Sequence, residues 1–332
     1  MGVKLSTLVK GVPVQMRDLA GKTIAVDAFN WIFQFLTTIR LADGSYLTDN
    51  KGRITTHLNG LFYRSVNLLA NKITPIYVFD GRAPKFKKET QRNRQAIKDR
   101  AKELSTYAST EEERAMYLRR TSEIDTYIID SSIELLNLMG ISQISAPAEG
   151  EAQAARLNSD GIAYAVASQD YDTILFGANK IVRNLNITNK KRVAGKGVFA
   201  AVSPEMIDVG KALSGVGLDR ERAILVALFI GTDYNKGVKG IGPKKALKIV
   251  GEEGKDEILS KYDFGTAYDI HDIYDYFIDP NVTVYKEAPP RPRFDREKLL
   301  EFLCDEHGFG RDRVTQSLDR IDTKNSSLLE YG

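Results

Sequence analysis

The chain has 332 residues, 42% hydrophobic and 27% charged, with a formal net charge of +3, so it can bury a large core as one elaborated domain or two. One cysteine, Cys304, and three histidines, His57, His271 and His307, at no ligand spacing exclude a disulfide scaffold and leave almost no material for thiolate or zinc chemistry. No apolar run is long enough to span a bilayer and no signal-peptide core opens the chain, which predicts an intracellular protein.

Residues 1–6 match a short myristoylation pattern, for which removal of Met1 is the simpler reading. Thr23-Ile24-Ala25-Val26 then runs into Asp27, and Ile76-Tyr77-Val78-Phe79 runs into Asp80. Residues 162–167 run into Ser168-Gln169-Asp170-Tyr171-Asp172. Short apolar runs rich in β-branched and aromatic residues, with helical patterns between them, predict buried parallel strands of an α/β sheet. Ligands bind such sheets at the carboxyl ends of the strands, so Asp27, Asp80, Asp170 and Asp172 are expected to share one edge. Glu149 and Glu151 follow Ala146-Pro147-Ala148 and open a helical pattern over residues 151–157, where acids suit the helix dipole. A seventh acid, Asp233, follows an apolar helix expected over residues 223–230.

Carboxylates gathered in one place repel one another and raise their own pKa values unless divalent cations neutralise them. Oxygen-only ligands suit magnesium or manganese rather than zinc. Two such ions about 4 Å apart activate water and stabilise a leaving oxygen in phosphodiester hydrolysis. The seven acids therefore predict a metal-dependent nuclease.

The charge distribution agrees with a nucleic-acid substrate. Between residues 82 and 102 nine basic residues face two acidic ones, Glu89 and Asp99, a local net charge of +7 directly after Asp80. The polar, helical pattern continues to about residue 120, which suits a mobile arch whose lysines and arginines hold phosphates. Lys87 and Arg94 are seven residues apart, two helical turns, and so share a face that could reach the scissile phosphate. After Asp233 the stretch through Lys236, Lys239, Gly240, Gly242, Lys244 and Lys245 has a glycine-rich turn, a proline at a helix start and a basic first turn. Pro243 stands where a Walker loop needs lysine, so this reads as a helix, glycine hairpin and helix that grips a duplex backbone without reading sequence.

Residues 24–28, 78–81, 146–152, 168–172 and 231–246 occur in the order and spacing of one family. The chain resembles the flap endonucleases among the XPG-like structure-specific 5′ nucleases, most closely the short archaeal forms, from residue 2 to about 250. The resemblance implies a PIN-like nuclease core, α/β with a central mostly parallel sheet flanked by helices, carrying a helical arch and a helix–hairpin–helix. It implies two Mg2+ ions, replaceable by Mn2+, on Asp27, Asp80, Glu149, Glu151, Asp170, Asp172 and Asp233, with Lys87 and Arg94 as the catalytic basic pair at the arch foot. It also implies Phe33 as a base-stacking platform, Arg40 and Arg64 as DNA-backbone contacts, and K+ at the helix–hairpin–helix that holds the duplex through Lys244 and Lys245. The expected substrate is branched DNA with a 5′ flap, cut near its junction in Okazaki-fragment maturation and repair, with 5′–3′ exonuclease activity beside it.

Two departures stand out. Gly150 lies between the glutamates where alanine is common, which should loosen the helix start. The tail keeps only Leu328 and Tyr331 of the family's sliding-clamp peptide, and these are the expected clamp contacts. The predicted organisation is core residues 1–81, arch 82–124, core 125–202, duplex-binding helical region 203–303, with a last helix over 295–307, and a C-terminal helix end with a flexible tail over 304–332. The expected protein is a monomer in the cytoplasm or nucleoid if archaeal. The alternatives are a sibling 5′ exonuclease, a Holliday-junction resolvase, or an inert junction-binding scaffold that kept the fold.

Overall fold

The computed structural model describes residues 5, 8–185, 190–192, 199–201 and 203–325. The chain opens on a short edge strand β1 (Val12–Pro13), then β2 (Thr23–Asp27) leads directly into α1 (Ala28–Thr38). Helix α2 (Thr56–Ala70) and β3 (Thr74–Phe79) follow, with Asp80 next in the chain. The arch consists of a single 3-10 turn at Lys85–Lys87, α3 (Lys88–Thr106) and α4 (Glu111–Arg119). The core resumes with α5 (Thr126–Leu138), β4 (Gln143–Ser145), α6 (Gly150–Ser159), β5 (Ala165–Ala167), α7 (Asp172–Leu175) and β6 (Lys180–Arg183). A small hairpin, β7 (Lys190–Arg192) and β8 (Phe199–Ala201), precedes β9 (Glu205–Asp208). The helical region is α8 (Val209–Ser214), α9 (Arg220–Ile230), α10 (Pro243–Glu252), α11 (Lys255–Lys261) and α12 (Ile270–Ile278). The chain then forms α13 (Arg296–Leu300), a π-helical turn at Glu301–Glu306, and α14 (Arg311–Asn325).

The main sheet has the order β1-β9-β6-β5-β2-β3-β4. Strands β6, β5, β2, β3 and β4 pair in parallel, while β9 joins β6 and β1 antiparallel. Alternation along the strands supplies two cores. Ala25, Ile76, Val78 and Val166 point to one face under α6, α7, α9 and α12, whereas Ile24, Val26, Tyr77 and Phe79 point to the other, under α1, α2, α5, α13 and α14. The result is a helix–sheet–helix sandwich. The chain passes from β2 outward to β3 and β4 and then returns to β5 on the other side of β2, so the order reverses at β2 and β5, where open α/β sheets form a crevice.

Three boundaries differ from the sequence expectation. Strand β5 is limited to Ala165–Ala167, because the carbonyls of Ala163 and Tyr164 accept from the Asn158 side chain, at 2.9 and 3.0 Å. The last helix is not the one over 295–307, and residues 311–325 are not part of a loose tail. Helix α14 runs on to Asn325, and Val314, Leu318 and Ile321, spaced four and three apart on one face, are buried in its packing against α2. Leu328 and Tyr331 lie outside the described residues, as does Gly2. Among the described residues no helix is long and apolar enough to cross a membrane.

Candidate active site

The acids gather at the carboxyl edge of the sheet because the strands that precede them end there. Asp27 closes β2 and caps α1, its Oδ1 accepting the Asn30 N–H at 3.0 Å. Asp80 follows β3, and its Oδ1 accepts the Gly150 N–H at 2.7 Å, which fastens the start of α6 to the end of β3. Glu149 is the residue before α6, Glu151 lies in its first turn, and Asp172 opens α7. Asp170 lies between β5 and α7, accepts from Asn30 Nδ2 at 3.0 Å, and donates its N–H to Ser168 Oγ at 3.1 Å. Ser168 Oγ also donates to Glu151 Oε1 at 3.2 Å.

Electrostatics show how closely these groups sit. Burial, reinforced by the charge of Asp80, pushes the Asp27 carboxyl from an ordinary 3.8 to about 8. Burial also raises Asp80 and Glu149, although the Lys87 ammonium works against both shifts. Glu151 is raised well above the ordinary range, by burial first and then by Asp172, Asp27 and Asp170. Burial opposes the charge on Lys87, but Glu149, Asp80 and Asp233 together hold it firmly protonated.

The arch foot enters this cluster. Lys87 Nζ donates to Glu149 Oε1 and lies 3.9 Å from Asp233, while Arg94 pairs with Asp233 at 2.6 Å. Thr90 Oγ1 donates to the Asp233 carbonyl at 2.6 Å, and Lys236 pairs with Glu89 at 2.5 Å. The basic pair expected from the sequence therefore meets the acidic cluster at Glu149 and Asp233. Tyr234 OH donates to the second oxygen of Glu149. No three carboxylate, histidine or cysteine side chains among the described residues close around a single ion as they stand. The donor set nonetheless fits hard divalent cations by its chemistry: every available ligand atom is a carboxylate oxygen, and the like charges raise one another's pKa.

The remaining expected positions fall into two groups. Phe33, 43% exposed, lies between buried Ile32 and Phe35 on α1, the helix that Asp27 caps. Lys239, Gly240, Gly242, Lys244 and Lys245 are exposed around the hairpin and the start of α10, with Pro243 at its first position. The hairpin is held by Asn235, whose amide donates to the Leu228 carbonyl at 2.7 Å, and by two glycines packed backbone to backbone. A Cβ on Gly237, at φ +82°, would stand 2.6 Å from the Ile230 carbonyl carbon. Arg64 is largely sequestered on α2, with its Nε unpartnered among the described residues. Arg40 faces the arch, donating to carbonyls of its own turn and to Ser122 rather than presenting a free fork.

Other contributors carry little sequence signal. Asn30 and Ser168 orient Asp170. Tyr234 meets Tyr276 edge to face, 5.6 Å between ring centroids, and the Tyr276 hydroxyl is buried with no partner among the described residues. Its pKa is pushed up by burial and then by Glu149. Only the position of Tyr234, directly after Asp233, could have marked it. Two of the histidines are buried structural groups, His57 Nε2 meeting Ser131 Oγ at 2.7 Å with burial lowering its pKa to about 3 and His307 Nδ1 meeting the Phe302 carbonyl, while exposed His271 meets Asp269 at 3.0 Å.

Comparison with known proteins agrees with this geometry. The XPG N-terminal domain matches residues 1–101 and the XPG I-region residues 140–233. The chain is 45% identical to flap endonuclease 1 of Thermococcus onnurineus, over 97% of this chain and 94% of that protein. It is 40% identical to flap endonuclease 1 of Archaeoglobus fulgidus, over 98% of each. Among solved structures, flap endonuclease-1 from Methanococcus jannaschii superimposes with a TM-score of 0.76 at 34% identity, covering 98% of this chain and 99% of that one. The catalytic core of Rad2 in complex with DNA substrate gives 0.69 at 26% identity, covering 94% and 96%.

Proposed function

The chain belongs to the flap endonuclease family of XPG-type nucleases, and from that premise we propose that it is a structure-specific 5′ flap endonuclease acting in DNA replication and repair, with accompanying 5′–3′ exonuclease activity. The observation that carries the reading is the insertion of Lys87 and Arg94, from the arch, into an edge of buried carboxylates with raised pKa values. Branched DNA binds through its backbone. Lys239, Lys244 and Lys245, with the amides near Gly240 and Gly242, hold duplex phosphates, and K+ bound at the hairpin would share that load. Phe33 stacks on a base beside the junction.

Asp27, Asp80, Glu149, Glu151, Asp170, Asp172 and Asp233 would hold two Mg2+ ions, or Mn2+ in their place. When bound, these supply activation of the attacking water and stabilisation of the departing oxygen. Asn30 keeps the Asp170 carboxylate oriented, and Ser168 Oγ holds the backbone N–H of Asp170. Lys87 and Arg94, now paired with Glu149 and Asp233, turn to the scissile phosphate and compensate its developing charge.

The protein acts as an intracellular monomer, and its tail contacts a sliding clamp through Leu328 and Tyr331. Deleting residues 325–332 should weaken clamp binding; unchanged clamp affinity would remove that part of the proposal. The catalytic part is tested by Asp170→Ala, which should abolish cleavage while sparing binding to a flap junction. Full turnover by this variant would defeat the assignment.

A further inference from the structure

The arch touches the rest of the molecule at two feet. The first, at the start of α3, is the set of contacts to Asp233 and Lys236 just described. Between the feet the arch is open to solvent, with Ile97 57% and Tyr107 78% exposed. The second foot is the end of α4, and it rests on the turn after α1. There Arg40 donates from Nε to the Leu36 carbonyl at 2.5 Å, from one terminal nitrogen to the Gly44 carbonyl at 2.9 Å, and from the other to Ser122 Oγ at 2.8 Å and the Leu118 carbonyl at 3.4 Å. Its guanidinium lies 3.5 Å from the centroid of the Tyr46 ring. The turn and α4 also meet backbone to backbone. Gly44 has φ +84°, and a Cβ there would stand 2.5 Å from the Ala115 Cα.

We propose that Arg40 is a positioning residue: together with the Gly44–Ala115 contact it latches the second leg of the arch to the core, and so sets the opening above the acidic edge. The inference rests on the flap endonuclease reading only for the consequence of that opening, which is access of the single-stranded 5′ end. A phosphate ligand needs a charge that lysine can supply. A latch that engages the α1 end, the turn and α4 at once needs the planar fork, which lysine lacks.

Hydrogen–deuterium exchange on the free, full-length protein tests the latch without any substrate. Arg40→Lys and Ala115→Leu, which wedges a side chain into the Gly44 contact, should each speed exchange across residues 107–122 by about tenfold, as expected for the loss of one or two net hydrogen bonds or their packing equivalent. The same variants should lower the maximal single-turnover rate on a free-ended 5′ flap while leaving duplex affinity and its salt dependence unchanged. Ala115→Val provides a milder wedge, with the same direction expected, if the leucine variant misfolds. Wild-type exchange and cleavage in Arg40→Lys, with a salt slope lower by about one in Arg40→Ala, would make Arg40 a phosphate ligand and overturn the proposal. Loosening by only one of the two kinds of substitution would overturn the two-part latch. If the wild-type protein failed to cut a flap at all, the proposed function would fall, but the exchange result would still decide whether the latch exists.

Discussion

Asp27 gives the sharpest quantitative expectation. Its carboxyl titrates near 8 in the fold against 3.8 ordinarily, because it is buried and faces Asp80. An acid whose pKa is raised on folding binds more protons in the folded than in the unfolded state, so stability falls as pH rises between the two values. From pH 4 to pH 7 the span is about three pH units at about 1.4 kcal/mol each, so the buried acid costs on the order of 4 kcal/mol at neutral pH in the absence of divalent cations. Asn at this position keeps the cap on the Asn30 N–H but carries no charge. Asp27→Asn should therefore be more stable than wild type in chelator at pH 7 by a few kcal/mol, with the difference vanishing towards pH 4, and it should lose cleavage. Urea denaturation of both proteins from pH 4 to pH 8, with chelator and with magnesium, reads this directly. Magnesium should stabilise wild type far more than the variant. Equal or lower stability of Asp27→Asn at pH 7 in chelator would refute the reasoning.

Leu318→Ala, which removes a fully buried side chain from α14, should cost about 2–5 kcal/mol in denaturant unfolding, whereas a loose tail would register nothing. Gly237→Ala should destabilise the protein by about 2 kcal/mol or more and weaken duplex binding in a fluorescence-anisotropy titration, since its Cβ has nowhere to go at φ +82°. Arg94→Ala should lower the single-turnover rate by about 100-fold with little change in junction affinity, as expected for a cation that acts on developing charge.

The site was legible in the sequence because its information is local. Apolar runs ending in Asp27 and Asp80 give both the strand and the edge, and the five-strand parallel core then brings separate acids together without further instruction. The arch was legible for the opposite reason: residues 82–120 offer little to bury, and only Phe86, Ala101, Ser105 and Ala115 of that stretch are buried. The C-terminal helix was hidden because its stripe is only three apolar residues wide within a strongly polar segment. The role of Arg40 left no trace, since three of its four acceptors are backbone carbonyls, which any residue can supply. Gly150 was read as a loosened helix start, yet it lies where a Cβ would meet Asp80 Oδ1 at 2.8 Å, so it lets the α6 amide approach that carboxylate closely.

The central claim is tested most directly by cleavage of a labelled double-flap DNA, compared with plain duplex, nicked duplex and four-way junction, in magnesium and in chelator. Magnesium-dependent release of the 5′ flap at its junction, in preference to the other substrates, is the predicted result. Preference for the duplex end or the four-way junction, or tight binding without any cut, would contradict it.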